Sequence, residues 1–123
     1  VLFTKTSRFL RDLAGGRADT TWEQRLRRYL QPDLVVLDDF AMKEFTSAQA
    51  DDLFELIDMR AGHGSLIVTS NRSPQDWYGL FPNPVVAESA LDRLVNAAYH
   101  LFLTGSSYRP KLRPQNLGME VMP

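Results

Sequence analysis

The stretch Leu34-Val-Val-Leu-Asp-Asp-Phe-Ala-Met-Lys43, LVVLDDFAMK, runs four apolar residues straight into two adjacent acids. A short unalternated apolar run reads as a strand covered on both faces, the usual state of strands in a parallel sheet. Two carboxylates at the end of such a strand are held rigidly while their heads face a crevice. A second run of the same kind, Leu66-Ile-Val-Thr69, leads into Ser70-Asn71-Arg72. In open sheets built from alternating strands and helices, ligands sit outside the carboxyl ends of the strands. A site is therefore expected in the residues that follow these two runs.

The rest of the chain fits that alternation. VLFT at 1–4 reads as a strand and YHLFLT at 99–104 as a last one. Thr6 is expected to cap a helix carrying Phe9, Leu10 and Leu13 on one face, with Gly15-Gly16 as its stop. Thr20 with Glu23 fits a capping box. The helix it opens places Trp22, Leu26, Tyr29 and Leu30 on one side, and Pro32 ends it. Thr46 with Gln49 fits another box, followed by Ala50, Leu53, Phe54, Ile57 and Ala61 at helical spacing, then Gly62 and Gly64. Ser73-Pro74 opens a short helix with Trp77 and Leu80 inward. Asn83-Pro84 opens a longer one carrying Ala87, Ala90, Leu91, Leu94, Val95 and Ala98. Residues 105–123, with three prolines and two glycines, read as an irregular C-terminal tail. The fold class predicted is α/β, a largely parallel sheet with flanking helices.

The totals narrow the function classes. The chain has 123 residues, 44% of them hydrophobic and 24% charged, which suits one ordinary domain with a core. The formal net charge of −1 gives no global field for nucleic acid or membrane, so any such contact rests on a local patch. There is no cysteine, which excludes disulfides and thiolate metal sites. No run approaches the ~20 apolar residues of a membrane span, and the first residues form no signal peptide. A soluble, cytoplasmic protein is expected. The first residue is Val1, as in a processed product or a fragment. His63 and His100 lack a metal-ligand spacing. Arg17, Arg25, Arg27 and Arg28 gather around the helix at 21–30, either as a DNA-backbone contact or as a solvated face. Asp51, Asp52 and Glu55 are expected on the wet face of their helix.

The acid pair carries the chemistry. Asp38 is suited to the water shell of Mg2+, a hard cation that favours oxygen ligands. Asp39 is suited to orient or deprotonate an attacking water. Four apolar residues followed by two acids form the Walker B pattern of P-loop NTPases. A plain buried strand meeting a polar turn reads the same hexapeptide equally well. Asn71 adds complementary chemistry at the next strand end, because an amide can donate to phosphate and accept from water. Its bland reading is a turn and cap built with Ser70 and Ser73. A receiver-type phosphoacceptor domain also places paired acids after a strand. It needs a further Asp at the next strand end and a Lys after a later one, where this chain has Thr69-Ser70-Asn71 and Leu103-Thr104-Gly105.

Pro32–Phe81, PDLVVLDDFAMKEFTSAQADDLFELIDMRAGHGSLIVTSNRSPQDWYGLF, with Val85–Arg109, VVAESALDRLVNAAYHLFLTGSSYR, resembles the IstB-like ATP-binding proteins. These are transposition helper ATPases related to DnaC-like helicase loaders within the AAA+ class. The resemblance spans about residues 1–113. It implies a P-loop NTPase sheet, with residues 1–104 as a partial AAA+ ATPase domain and 105–123 as its tail. It implies that Asp38 is the Walker B acid, holding Mg2+ through water, and that Asp39 sits at the catalytic-acid position, where many AAA+ proteins have Glu. Asn71 matches the sensor-one position. Arg93 matches an arginine that reaches the nucleotide of a neighbouring subunit, which implies a homo-oligomer, and Arg109 is a further phosphate-facing candidate. ATP and Mg2+ are the implied cofactors, with DNA and a transposase or helicase-type protein as partners. The family's phosphate loop, G-x-x-x-x-G-K-[ST], finds no match among the 123 residues. This chain therefore resembles the part of the ATPase domain after the first strand and its loop. The rival reading is a non-catalytic remnant that serves only as a protein- or DNA-interaction module.

Overall fold

Leu34–Asp38 is the central strand, β2, of a three-stranded sheet in a computed structural model that describes residues 1–96. It lies between β1 (Leu2–Lys5) and β3 (Ser65–Val68), and both pairings are parallel. Parallel neighbours need long crossovers. Helices α1 (Thr6–Asp19) and α2 (Trp22–Leu30) make the first, and α3 (Ser47–Arg60) makes the second. After β3 come the one-turn α4 (Pro74–Trp77), a 3-10 turn and α5 (Pro84–Asn96). The fold is α/β, as predicted. The strand expected at 99–104 and the tail lie outside the described residues.

Register decides which residues meet the helices. The rows Leu2–Val35–Leu66 and Thr4–Leu37–Val68 face them. Val35 and Leu37 are fully buried there with Phe9, Leu13, Leu53 and Leu56. The alternate row, Phe3–Val36–Ile67, faces away; Phe3 is 62% and Ile67 49% exposed. This corrects the reading of LVVL and LIVT as strands covered on both faces. Among the described residues the helices pack on one face only, so burial alternates along β2 and β3.

Two helix ends differ from expectation for local reasons. Gly15-Gly16 does not stop α1, which runs through both glycines to Asp19. A Cβ on Gly16 would lie 2.7 Å from the Trp22 Cα, so this glycine is there to let the start of α2 press against α1. The α1 N-cap is Lys5, so Thr6 falls inside the helix, where its hydroxyl donates to the Asp38 carbonyl at 3.0 Å. The Thr20–Glu23 box does not form. Thr20 instead closes α1 in the left-handed region, and the Asp19 carboxylate accepts from the Thr21 amide at 3.1 Å. The Thr46–Gln49 box does form, at 3.2 and 3.0 Å, and Asn83 caps α5 through the Val85 amide at 2.8 Å.

Asp52 is a further correction. The sequence pattern puts it on the wet face of α3, but it is 1% exposed. It accepts from Arg17 at 2.5 Å and from the Trp22 indole at 2.9 Å. The Arg17 guanidinium also stacks over the Trp22 ring, so charge, hydrogen bond and ring together tie α1, α2 and α3. Arg25 is similarly engaged, with Asp12 at 3.0 Å and Asp19 at 2.8 Å. The Tyr29 hydroxyl donates to Asp12 at 2.7 Å, and burial beside that carboxylate pushes the phenol well above its usual pKa.

Candidate functional site

Because the three strands are parallel, their carboxyl ends lie side by side. Lys5 is in register with Asp38, and the Leu37–Val68 pairing brings Thr69 level with Asp38 on the other side. The Thr69 hydroxyl donates to Asp38 Oδ1 at 2.5 Å and accepts from the Asp39 amide at 3.1 Å. The ladder continues past the strands: the Thr69 amide donates to the Leu37 carbonyl at 3.0 Å, and the Phe40 amide to the Thr69 carbonyl at 2.8 Å. One side chain of β3's exit thus fixes both acids at β2's exit.

The turn after β2 is conformationally unusual. Asp39 has φ 55° and Ala41 has φ 62°, both in the left-handed region. Asp visits that region more readily than most residues, whereas Ala41 is held there by the surrounding contacts. Phe40, between them, is fully buried and packs edge-on against Trp77 at 4.9 Å and at a tilt against Phe45 at 5.8 Å. The buried ring and the backbone bonds aim the carboxylate of Asp39 outward. Lys5 Nζ lies 3.7 Å from Asp39 Oδ2, with both side chains well exposed. Such a screened pair contributes under about 1 kcal/mol, so Lys5 is a counter-ion that yields readily to another cation.

Asn71 is exposed at the same end of the sheet, two residues beyond Thr69. Its loop is tied to the turn after β2 by Ser70, whose hydroxyl donates to the Phe40 carbonyl at 2.7 Å. Arg93 stands elsewhere. It is ion-paired with Asp58 in the last turn of α3, a helix that leads back to the amino end of β3. Arg109 lies outside the described residues. The donors at the Asp38 end are hard oxygens: the second Asp38 oxygen, the Asp39 carboxylate and the Thr69 hydroxyl. That set fits Mg2+ rather than a soft metal. Among the described residues no three His, Asp or Glu side chains converge, so a cation here would need water or a bound phosphate for its remaining ligands.

The family described as IstB-like ATP binding protein matches residues 1–116. The chain belongs to this family. An ATP-binding protein in an insertion sequence of Mycobacterium tuberculosis is 61% identical over 115 residues, covering 93% of this chain and 46% of that protein. The IS21 ATP-binding protein of Pseudomonas aeruginosa is 30% identical over 111 residues, covering 90% and 42%. This IstB-like chain thus spans under half the length of these relatives. Domain III of the Thermotoga maritima replication initiation protein DnaA shares the fold, with TM-score 0.61 and 17% identity over 73% of this chain and 38% of that one. AMPPCP-bound DnaA from Aquifex aeolicus gives TM-score 0.60 and 18% identity over 72% and 28%. The fold shared with both DnaA structures is a parallel sheet with flanking helices.

Sequence reading placed Thr69 and Ser70 at this strand end without giving either a bonding role, and it missed Lys5. Those roles come from tertiary contacts: register sets Lys5 and Thr69 on either side of Asp38, and the Ser70 hydroxyl reaches the Phe40 carbonyl.

Proposed function

We propose that this chain supplies the acid half of an ATP site in a DNA-transposition helper ATPase. The observation that carries the reading is the Thr69 hydroxyl shared between the Asp38 carboxylate and the Asp39 amide. It presents two acids at fixed spacing where phosphates would lie in this fold. Asp38 is the Walker B acid in this reading, and its carboxylate would hold Mg2+ through water. When bound, Mg2+ would neutralise phosphate charge and orient it. Asp39 aligns the attacking water and accepts its proton. Asn71 donates its amide to the terminal phosphate and accepts from the same water. Arg93 leaves Asp58 to reach the nucleotide of an adjoining copy, where a planar guanidinium suits transition-state charge. Arg109 is assigned a minor phosphate contact.

Residues 1–104 form the partial ATPase domain in this reading and 105–123 its tail. The partners are DNA and a transposase or helicase-type protein, in the cytoplasm. No helix among the described residues is long and apolar enough to cross a membrane. Arg8, Arg11 and Arg27 are exposed and, among the described residues, stand outside every salt bridge, which leaves them free for DNA phosphates. Arg17 and Arg25 are already engaged and are not proposed for that role.

Calorimetry with ATP and Mg2+ tests the division of the site. The 123-residue chain is expected to show no binding at micromolar concentrations, because its acids repel phosphate and no phosphate loop is among its residues. A chimera carrying the upstream half of the Mycobacterium tuberculosis relative ahead of Val1 is expected to bind. Micromolar affinity in the 123-residue chain overturns the reading of a half site. No binding by the chimera favours the interaction-module reading, which rests on the same missing loop.

A further inference from the structure

We infer that Ser70 is a positioning residue that locks the Asn71 loop to the Asp38–Asp39 turn; this rests on the ATP-site reading. A serine hydroxyl offers one donor and two acceptor positions. In Ser70 all three are used, each by a different segment. It donates to the Phe40 carbonyl at 2.7 Å, accepts from the Arg72 amide at 3.1 Å, and accepts from the Trp77 indole at 3.2 Å. The Phe40 carbonyl belongs to the turn next to Asp39. The Arg72 amide follows Asn71. Trp77 is buried on α4 and is itself packed edge-on against Phe40.

The consequence is geometric. Asp39 and Asn71 sit on separate loops, and each loop is exposed to solvent on one side. Their relative position depends on what crosses between the loops. The Thr69 bonds hold the strand exits; among the described residues the hydrogen bonds that cross further out between these two loops are that of Ser70 and the weaker reach of Arg72 to the Met42 carbonyl, at 3.5 Å. A water held between an acid and an amide tolerates little drift: misplacement by about 1 Å can cost ~10²-fold in rate. The Ser70 hydroxyl has its donor and both acceptor positions taken by protein groups. It acts through the loop that carries Asn71.

The test uses Ser70→Ala and Ser70→Thr in two settings. In the 123-residue chain, with Trp22→Phe leaving Trp77 as the sole tryptophan, Ser70→Ala is expected to shift Trp77 emission. Amide hydrogen exchange at Arg72 should accelerate roughly 3- to 10-fold, the scale of one net hydrogen bond. In the chimera, kcat should fall ~10-fold or more while KM for ATP stays within about twofold. Ser70→Thr keeps the hydroxyl and should restore all three readouts. If Ser70→Ala does not fold, Ser70→Cys, similar in size and a weak donor, takes its place. Unchanged Arg72 exchange and Trp77 emission overturn the proposal. So does unchanged kcat in a chimera whose parent hydrolyses ATP. Altered exchange in a chain whose parent chimera is inactive supports the coupling of the loops and counts instead against the ATP site.

Discussion

Asp39→Asn in the chimera is expected to slow ATP hydrolysis by ~10²- to 10⁴-fold, the range of a positioned general base, with ATP affinity within about threefold. The substitution isolates the chemistry because it spares the geometry. Asn adopts the left-handed region as readily as Asp, so φ 55° is retained. The backbone amide still donates to Thr69, and Phe40 still anchors the turn. What is lost is an acceptor for the proton of the attacking water. Removing a negative charge near phosphate does not weaken binding. Steady-state kinetics with a separate nucleotide titration resolves the two quantities. Hydrolysis within about threefold of the parent shows that Asp39 is not the base.

Arg60→Met is expected to destabilise the chain by about 3–5 kcal/mol. Arg60 is 3% exposed at the end of α3. Its guanidinium donates to four backbone carbonyls: Tyr29 at 2.9 Å, Pro32 at 2.9 Å, Asp33 at 3.2 Å and Ser65 at 3.0 Å. These belong to the end of α2, the entry to β2 and the start of β3, so one side chain sets the amino ends of two strands against α3. Burial pulls its pKa below the usual arginine value, with Asp33 opposing. Methionine fills the volume and leaves the carbonyls unpaired. Gly64→Ala tests the same clamp from outside. Gly64 has φ 120°, and a Cβ there would lie 2.6 Å from Arg60 Nη2 and 3.0 Å from the Asp33 carbonyl oxygen. A loss of about 1–3 kcal/mol is expected from backbone strain. Urea unfolding followed by fluorescence measures both. A change under about 0.5 kcal/mol for Arg60→Met shows that water replaces the guanidinium without cost.

The fold was largely legible because the apolar runs have the period of their element. LVVL and LIVT marked β2 and β3, and spacing on α3 and α5 marked their buried faces. The misreadings share a cause: they depended on what lies across from a residue. Gly16 looks like a stop until α2 is seen pressed against it. Asp52 looks solvated until Arg17 and Trp22 reach it. Arg60 gave no sign at all, since a guanidinium bonded to carbonyls needs no acidic partner in the sequence. At the site, Asp38, Asp39 and Asn71 were legible as strand-exit residues. Lys5 was not, and the bonds that Thr69 and Ser70 make were not, because they join segments about thirty residues apart.

Titration of ATP into the chimera, with and without Mg2+ and with and without Asp38→Asn, addresses the acid half of the site most directly. Asp38 and Mg2+ act as one unit in the proposed geometry, so their contributions should not add. The prediction is that Mg2+ tightens ATP binding about tenfold in the parent, worth ~1.4 kcal/mol, and that Asp38→Asn removes most of that gain. An undiminished Mg2+ gain in Asp38→Asn contradicts it, because the cation would then be held without the residue that defines the site.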